Sequence, residues 1–210
     1  MGYATNLPGD LNVPGTLRIS GGISPTLARS SVLAIAENEP FVIPWTWWRV
    51  WDALHTNLPG TAATDDLALI GGTFASATPS IRSVDFGGTS TTAYARVQIP
   101  LPWEYEDGQT VTLRFHAGML STVSNDYARL DMVCYESDEE LGISADICAT
   151  GLQSVNSLTL ADIDFVITPT ALAAGSLLDV RIVVTGNDTG DAGDGITVVI
   201  GSVKLLCDVR

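Results

Sequence analysis

Downstream of residue 41 apolar and polar residues alternate with the two-residue period of a half-buried strand. Ala93, Ala95, Val97 and Ile99 oppose Tyr94, Arg96 and Gln98, and Val111, Leu113, Phe115 and Ala117 oppose Thr112, Arg114 and His116. Ala128, Leu130, Met132 and Cys134 oppose Tyr127, Arg129 and Asp131, while Leu178, Val180, Ile182 and Val184 oppose Asp179 and Arg181. In each stretch the apolar set is expected to face a core and the polar set to point outward. Residues 196–206 are more continuously apolar, which predicts a central strand buried on both sides. Shorter β-rich stretches lie near 67–70, 81–86 and 157–167, with turn signals at Asp107-Gly108 and between Gly186 and Gly195. About nine strands without a long helix, and without a strand–helix–strand rhythm, predict an all-β fold: an antiparallel two-sheet β-sandwich.

The front of the chain has another pattern. Leu11, Val13, Leu17 and Ile19 fall on one side of a period-two segment broken by Pro-Gly turns. Two strands that short do not bury such a face alone, so the rest of the protein or another chain is expected to cover it. Ser24-Pro25 then offers a cap and a first-turn proline, followed by Leu27, Ser31 or Val32, and Ile35 at helical spacing before Pro40. This predicts one short helix at about 25–37. The division expected is an extended N-terminal docking arm over 1–40 and a sandwich domain over 41–210. The segment 41–51 holds four of the five tryptophans, whose bulk and β preference predict a strand at the edge of the core. Pro44 keeps its first half off a central position.

Composition narrows the classes of function. The chain has 210 residues, of which 46% are hydrophobic and 16% charged, as in a packed globular protein. No apolar run reaches the ~18 residues of a membrane-spanning helix. The 24 acidic and 10 basic residues give a net charge of −14, which repels phosphate backbones and anionic lipid, so neither nucleic acid nor a membrane is expected as a partner. The acidity is uneven. Residues 1–36 carry Asp10 against Arg18 and Arg29, or +1, and the remainder carries 23 acids against 8 bases, or −15. Lys204 is the single lysine, and the arginines that replace it suit bidentate contacts at interfaces. Cys134, Cys148 and Cys207 are odd in number and widely spaced, with only His55 and His116 to join them, so neither a disulfide framework nor a zinc site is expected. The first ten residues lack the pattern of a secretory signal, and synthesis in a reducing cytoplasm is expected.

Candidate chemistry is sparse. Arg96, Arg114, Arg129 and Arg181, with His116, stand mid-strand on outward positions; they read either as a subunit or partner interface or as a ladder of cross-strand ion pairs with acids such as Asp131 and Asp179. Asp188, Asp191 and Asp194 lie in a glycine-rich loop with the oxygen chemistry of a calcium site, but they are three residues apart rather than two, and a hairpin tip uses the same residues. No cofactor and no catalytic residue is assigned: there is no G-x-S-x-G, and abundant acids are not the paired geometry of a glycosidase. Trp45, Trp47, Trp48 and Trp51 could stack on sugar rings. Strand alternation turns at least half of them inward, and core packing or docking of the arm is the preferred reading.

Several segments resemble a group of small virion structural proteins of tailed bacteriophages and prophages. They are Ile23-Ser24-Pro25-Thr26-Leu27-Ala28-Arg29, Trp48-Arg49-Val50-Trp51-Asp52-Ala53, Thr56-Asn57-Leu58-Pro59, Thr61-Ala62-Ala63-Thr64-Asp65-Asp66-Leu67, the stretch from Thr110 to Met119, and Leu205-Leu206-Cys207-Asp208. The resemblance covers nearly the whole chain from about residue 10. It implies a capsid decoration or cement protein with a jelly-roll-like body, a homotrimer located on the virion and fixed to the major capsid protein by its N-terminal arm. In that setting Leu11, Val13, Leu17, Ile19, Leu27 and Arg29 would make the capsid or subunit contact, with Trp47 and Trp51 receiving the arm. The alternative is a glycan-binding, host-attachment module on the virion surface, using the tryptophans or the loop at 187–195; a tail or baseplate position is a further option.

Overall fold

The computed structural model describes residues 36–86, 91–120, 127–137, 141–170, 172–187 and 195–209, which fall within one compact unit spanning 35–210. The expected arm contacts Leu11, Val13, Leu17, Ile19, Leu27 and Arg29, the helix up to residue 35, and the loop acids Asp188, Asp191 and Asp194 lie outside the described residues.

The described residues form strands and one 3-10 turn, with the alternation seen in the sequence deciding which face is buried. In chain order the strands are β1 (Ala36–Val42), β2 (Arg49–Val50), β3 (Ala53–Asn57), β4 (Ala68–Ile70), β5 (Ser80–Arg82) and β6 (Thr91–Pro100). They continue as β7 (Val111–Met119), β8 (Tyr127–Ser137), β9 (Gln153–Ser154), β10 (Ala161–Ile167), β11 (Leu177–Asn187) and β12 (Val198–Val209). Two six-stranded sheets result. One has the order β10-β7-β12-β5-β4, with β1 also paired to β12; the other runs β3-β2-β6-β11-β8-β9. The pairings between these strands are antiparallel. The fold is thus the expected antiparallel two-sheet β-sandwich.

The apolar sets of β6, β7, β8 and β11 are buried and meet the inner side of β12. Phe115 lies at the centre, edge-on to Phe165 at 5.6 Å and to Trp48 at 6.4 Å between ring centroids, a geometry that favours aromatic pairs beyond the area they bury. As its continuous apolar run predicts, β12 is central, flanked by β7 on one side and by β5 and β1 on the other; Lys204 is its exposed exception.

Two expectations need correction. The segment 41–51 is not one strand. Ile43 N–H makes a 3.0 Å bond to Val203 O, and the chain then enters a 3-10 turn over Trp45–Trp47 before β2. Pro44 is the cause: it has no N–H for the ladder, and its carbonyl instead accepts the Trp47 N–H at 3.1 Å. Residues 36 and 37, placed at the end of the short helix, belong to β1, and Pro40 sits in that strand opposite Leu206. Proline is tolerated there because, among the described residues, β1 pairs with β12 alone and its other edge makes no ladder bonds. A register shift near its start leaves Asn38 at φ 54, with its N–H donated to Asp208 Oδ1 at 2.9 Å.

Candidate functional site

The fifth tryptophan, distant from the cluster at 45–51, marks the site. Trp103 follows β6 in a turn closed by Tyr105 N–H on Pro102 O at 3.0 Å. Its neighbours Leu101 and Tyr105 are buried, and Leu101 N–H holds Ser176 O at 2.8 Å. With both flanks anchored inward, the indole is directed outward and is 82% exposed. It lies against Gly175, where a Cβ would stand 2.9 Å from Trp103 Cη2 and Cζ3. Gly175 has φ 84, so glycine serves twice there, for its backbone conformation and for the room it leaves the ring. The turn beneath is fixed by Ser176 N–H on Ala173 O at 3.0 Å and by Ala174 N–H on Asp107 Oδ1 at 2.9 Å.

Trp103 borders a solvent-open groove of about 1130 Å³ at the end of the second sheet, where Leu177 of β11 lies opposite both Ser137 of β8 and Pro100 of β6. The far wall carries Ile143 and Ser144. Ser144 is tied to β8, receiving the Glu136 N–H on its hydroxyl at 2.8 Å and donating its own N–H to Glu136 O at 3.0 Å. Between the walls Ser176 Oγ donates to Glu136 Oε1 at 2.7 Å. A flat apolar ring thus stands beside a carboxylate and several hydroxyls on well-tied backbone. Among the described residues Glu136 is the one carboxylate lining the groove, and Asp138, Glu139 and Glu140 lie outside the described residues.

The residues singled out in the sequence are dispersed. Trp47 stands half exposed on the 3-10 turn, and Trp48 is buried in the core. Trp51 stacks on Tyr94 at 5.0 Å on the outer face of the second sheet. On that face Arg96 Nε donates to Asp179 Oδ1 at 2.7 Å, with a second bond from Nη2 to Oδ2; this pairing raises the Arg96 pKa. Arg129 stacks over Tyr127 at 4.2 Å, and Arg181 lies over the rings of Tyr94 and Trp51 at 5.6 and 5.9 Å. On the opposite sheet Arg114 forms a bidentate pair with Asp164, both bonds 2.7 Å, and His116 Nδ1 is 2.8 Å from Asp162 Oδ1. The bond to His116, aided by Arg114, lowers the Asp162 pKa. Among the described residues no group of three or more His, Cys, Asp or Glu is placed to hold a metal. Cys134, Cys148 and Cys207 are free thiols whose pKa values burial pushes up, that of Cys207 to about 11.

The sequence matches no family model and no curated protein. The structure is similar to the carbohydrate-binding and catalytic modules of an endo-1,4-β-D-xylanase from Clostridium thermocellum, at 12% identity and a TM-score of 0.45, over 82% of this chain and 29% of that one. It is also similar to the xylan-binding domain of Xyn10C from Paenibacillus barcinonensis, at 10% identity and a TM-score of 0.38, over 83% and 99%. A further similar structure is a xylan-binding module, at 14% identity and a TM-score of 0.41, over 81% and 97%. The chain thus spans under a third of the first of these structures and nearly all of the other two. At these values the likeness carries no functional argument.

Proposed function

We propose that this chain is a glycan-binding module that acts without turnover, with Trp103 as the platform for a sugar ring. The supporting observation is the exposed indole on Gly175, bordering an open groove with Glu136 and Ser176 beside it. A pyranose has an apolar C–H face and a rim of hydroxyls. The indole covers the first, and Glu136 and the serine hydroxyls exchange hydrogen bonds with the second. The resemblance of the sequence to phage virion proteins supports placing the module on a virion surface, where many copies would turn modest affinity into firm attachment.

The test is a glycan array followed by affinity electrophoresis with the polysaccharide it selects. Trp103→Ala should lose about 2 kcal/mol, roughly thirtyfold in affinity, as for a central aromatic anchor. Its folding stability should change by less than about 0.5 kcal/mol, because the ring is on the surface. Undiminished binding by Trp103→Ala would refute this reading. A second reading, a trimeric capsid decoration protein, is favoured by the same sequence resemblance. In that case deletion of residues 1–34 abolishes co-sedimentation with capsids.

A further inference from the structure

The outer face of the second sheet carries a row of like charges. Arg49 of β2 is the register partner of Arg96 on β6, and Arg96 is the partner of Arg181 on β11. Cationic residues directly opposite one another repel unless each is compensated. Two of the three are. Arg96 holds the buried carboxylate of Asp179 in a bidentate pair, and Arg49 Nη1 donates to the carbonyls of Thr46 and Trp48, the first at 2.5 Å. Arg181 differs. Among the described residues it makes no ion pair or side-chain hydrogen bond; its guanidinium is held by the rings of Tyr94 and Trp51, and its Nε is buried without a partner. The Trp51 Nε1 beside it is likewise buried and unpaired. Asp131 directs its Oδ1 to the Met132 N–H at 2.9 Å.

We propose that Arg181 is the carboxylate-binding position of the glycan track that begins at Trp103, so that the ligand is an acidic polysaccharide. The inference rests on the glycan-binding reading and identifies the class of sugar. The neighbouring pair supplies the pattern: Arg96 takes an internal carboxylate through two parallel N–H bonds, the geometry planar guanidinium and carboxylate groups share. The net charge of −14 opposes a polyanion at long range, so the preference for an acidic sugar has to come from the local contact with Arg181. The groove and Arg181 are linked by β11. Leu177, which lines the groove, and Arg181 share one face of β11, four residues or about 13 Å apart at the rise of a strand. Trp51 and Tyr94 give the acidic sugar an aromatic wall; Arg181 Nε and Trp51 Nε1 are buried beneath it, so the ligand contact falls to the terminal guanidinium nitrogens.

The experiment is isothermal titration of the full chain with polygalacturonate, alginate and polysialate, and with their methyl esters, in which each carboxylate is masked. At least one free acid should bind about tenfold more tightly than its ester, the usual scale for a charge-assisted bidentate contact. Arg181→Gln should remove that preference while its thermal unfolding stays cooperative, and Arg181→Lys should restore it only in part, since lysine has no fork. Failure of every free acid to bind, equal binding of acid and ester by the wild type, an unchanged preference in Arg181→Gln, or equal binding of polyglutamate would each overturn the proposal. Loss of glycan binding in Trp103→Ala together with equal binding of acid and ester by the wild type would leave the module and refute its acidic specificity. Persistence of all binding in Trp103→Ala would refute the module itself.

Discussion

Gly175 is where backbone and function are most tightly joined, and Gly175→Ala separates them. The substitution acts in two ways. An L residue at φ 84 is in the left-handed region, which costs about 1–2 kcal/mol. In a domain of this size that lowers the midpoint of thermal unfolding by about 2–8 °C. The new methyl would also stand 2.9 Å from two atoms of the Trp103 ring and 3.3 Å from a third. Ordinary carbon contacts lie near 3.5–4.0 Å, so the indole must withdraw by roughly 0.5–1 Å or swing out. Because the ring is 82% exposed, it gives way at little cost to folding, and the steric effect should appear in binding rather than in stability.

The control lies in the same chain. Gly108 has φ 80 and nothing within 4 Å of its would-be Cβ, so Gly108→Ala has the backbone strain without the displaced ring. Both variants should therefore lose similar stability by calorimetry, while only Gly175→Ala loses glycan affinity, by about tenfold. Combined with Trp103→Ala, Gly175→Ala should lower affinity no further, because its effect passes through the ring; the double-mutant cycle measures that coupling directly. Wild-type affinity in Gly175→Ala, or fully additive losses in the double variant, would show that the seat of the indole on Gly175 is irrelevant to binding.

Other consequences follow from the core, the thiols and the outer ion pairs. Phe115→Ala should destabilise the fold by about 3–5 kcal/mol in denaturant titrations, since the ring is fully buried between Trp48 and Phe165. Burial and raised pKa values should keep Cys134 and Cys207 unalkylated by iodoacetamide near pH 8 in the native protein, with both labelled after unfolding, as read by peptide mass spectrometry. The folded pKa of Asp162 is below its ordinary 3.8, so its contribution to stability is present above that value and is lost as pH falls through the folded one. In denaturant titrations at stepped pH, Asp162→Asn should flatten the stability–pH curve in that acidic window and lower it slightly near neutrality, where the wild-type contribution is present.

How much of this was legible in the sequence depended on whether the information was local. The strands at 91–100, 111–119 and 177–187 could be read because each buries one face, and a period of two records which one. The segment 41–51 misled because tryptophan density is a stronger signal than one proline, yet Pro44 alone breaks the ladder. The same density drew attention to the wrong rings: Trp48 fills the core and Trp51 lies on Tyr94. Trp103, alone between Pro102 and Glu104, has no periodic context. Its meaning comes from Gly175, which reaches it only through the fold. The one local hint was an unaccompanied tryptophan beside a proline, outside every alternating stretch.

The arginines show the same limit at the level of register. That 96, 114, 129 and 181 point outward follows from alternation, but which of them stand side by side depends on pairing between strands far apart in the chain. The sheets put Arg114 on one outer face and the other three on the opposite one, and they add Arg49, unremarkable in the sequence, to the row of Arg96 and Arg181. Pairing then separates the arginines by role. Arg96 and Arg114 each hold an acid of their own sheet, so their charges are spent internally; Arg181 is held by aromatic rings, which orient a cation without neutralising it. A cation left in that condition about 13 Å along β11 from Leu177, which lines the groove that Trp103 borders, gives the proposed site a direction as well as a location. A short oligosaccharide seated on Trp103 does not reach Arg181, whereas a longer acidic chain engages both. The contribution of Arg181 should therefore emerge only as the ligand lengthens, a dependence that two unrelated surface features would not produce.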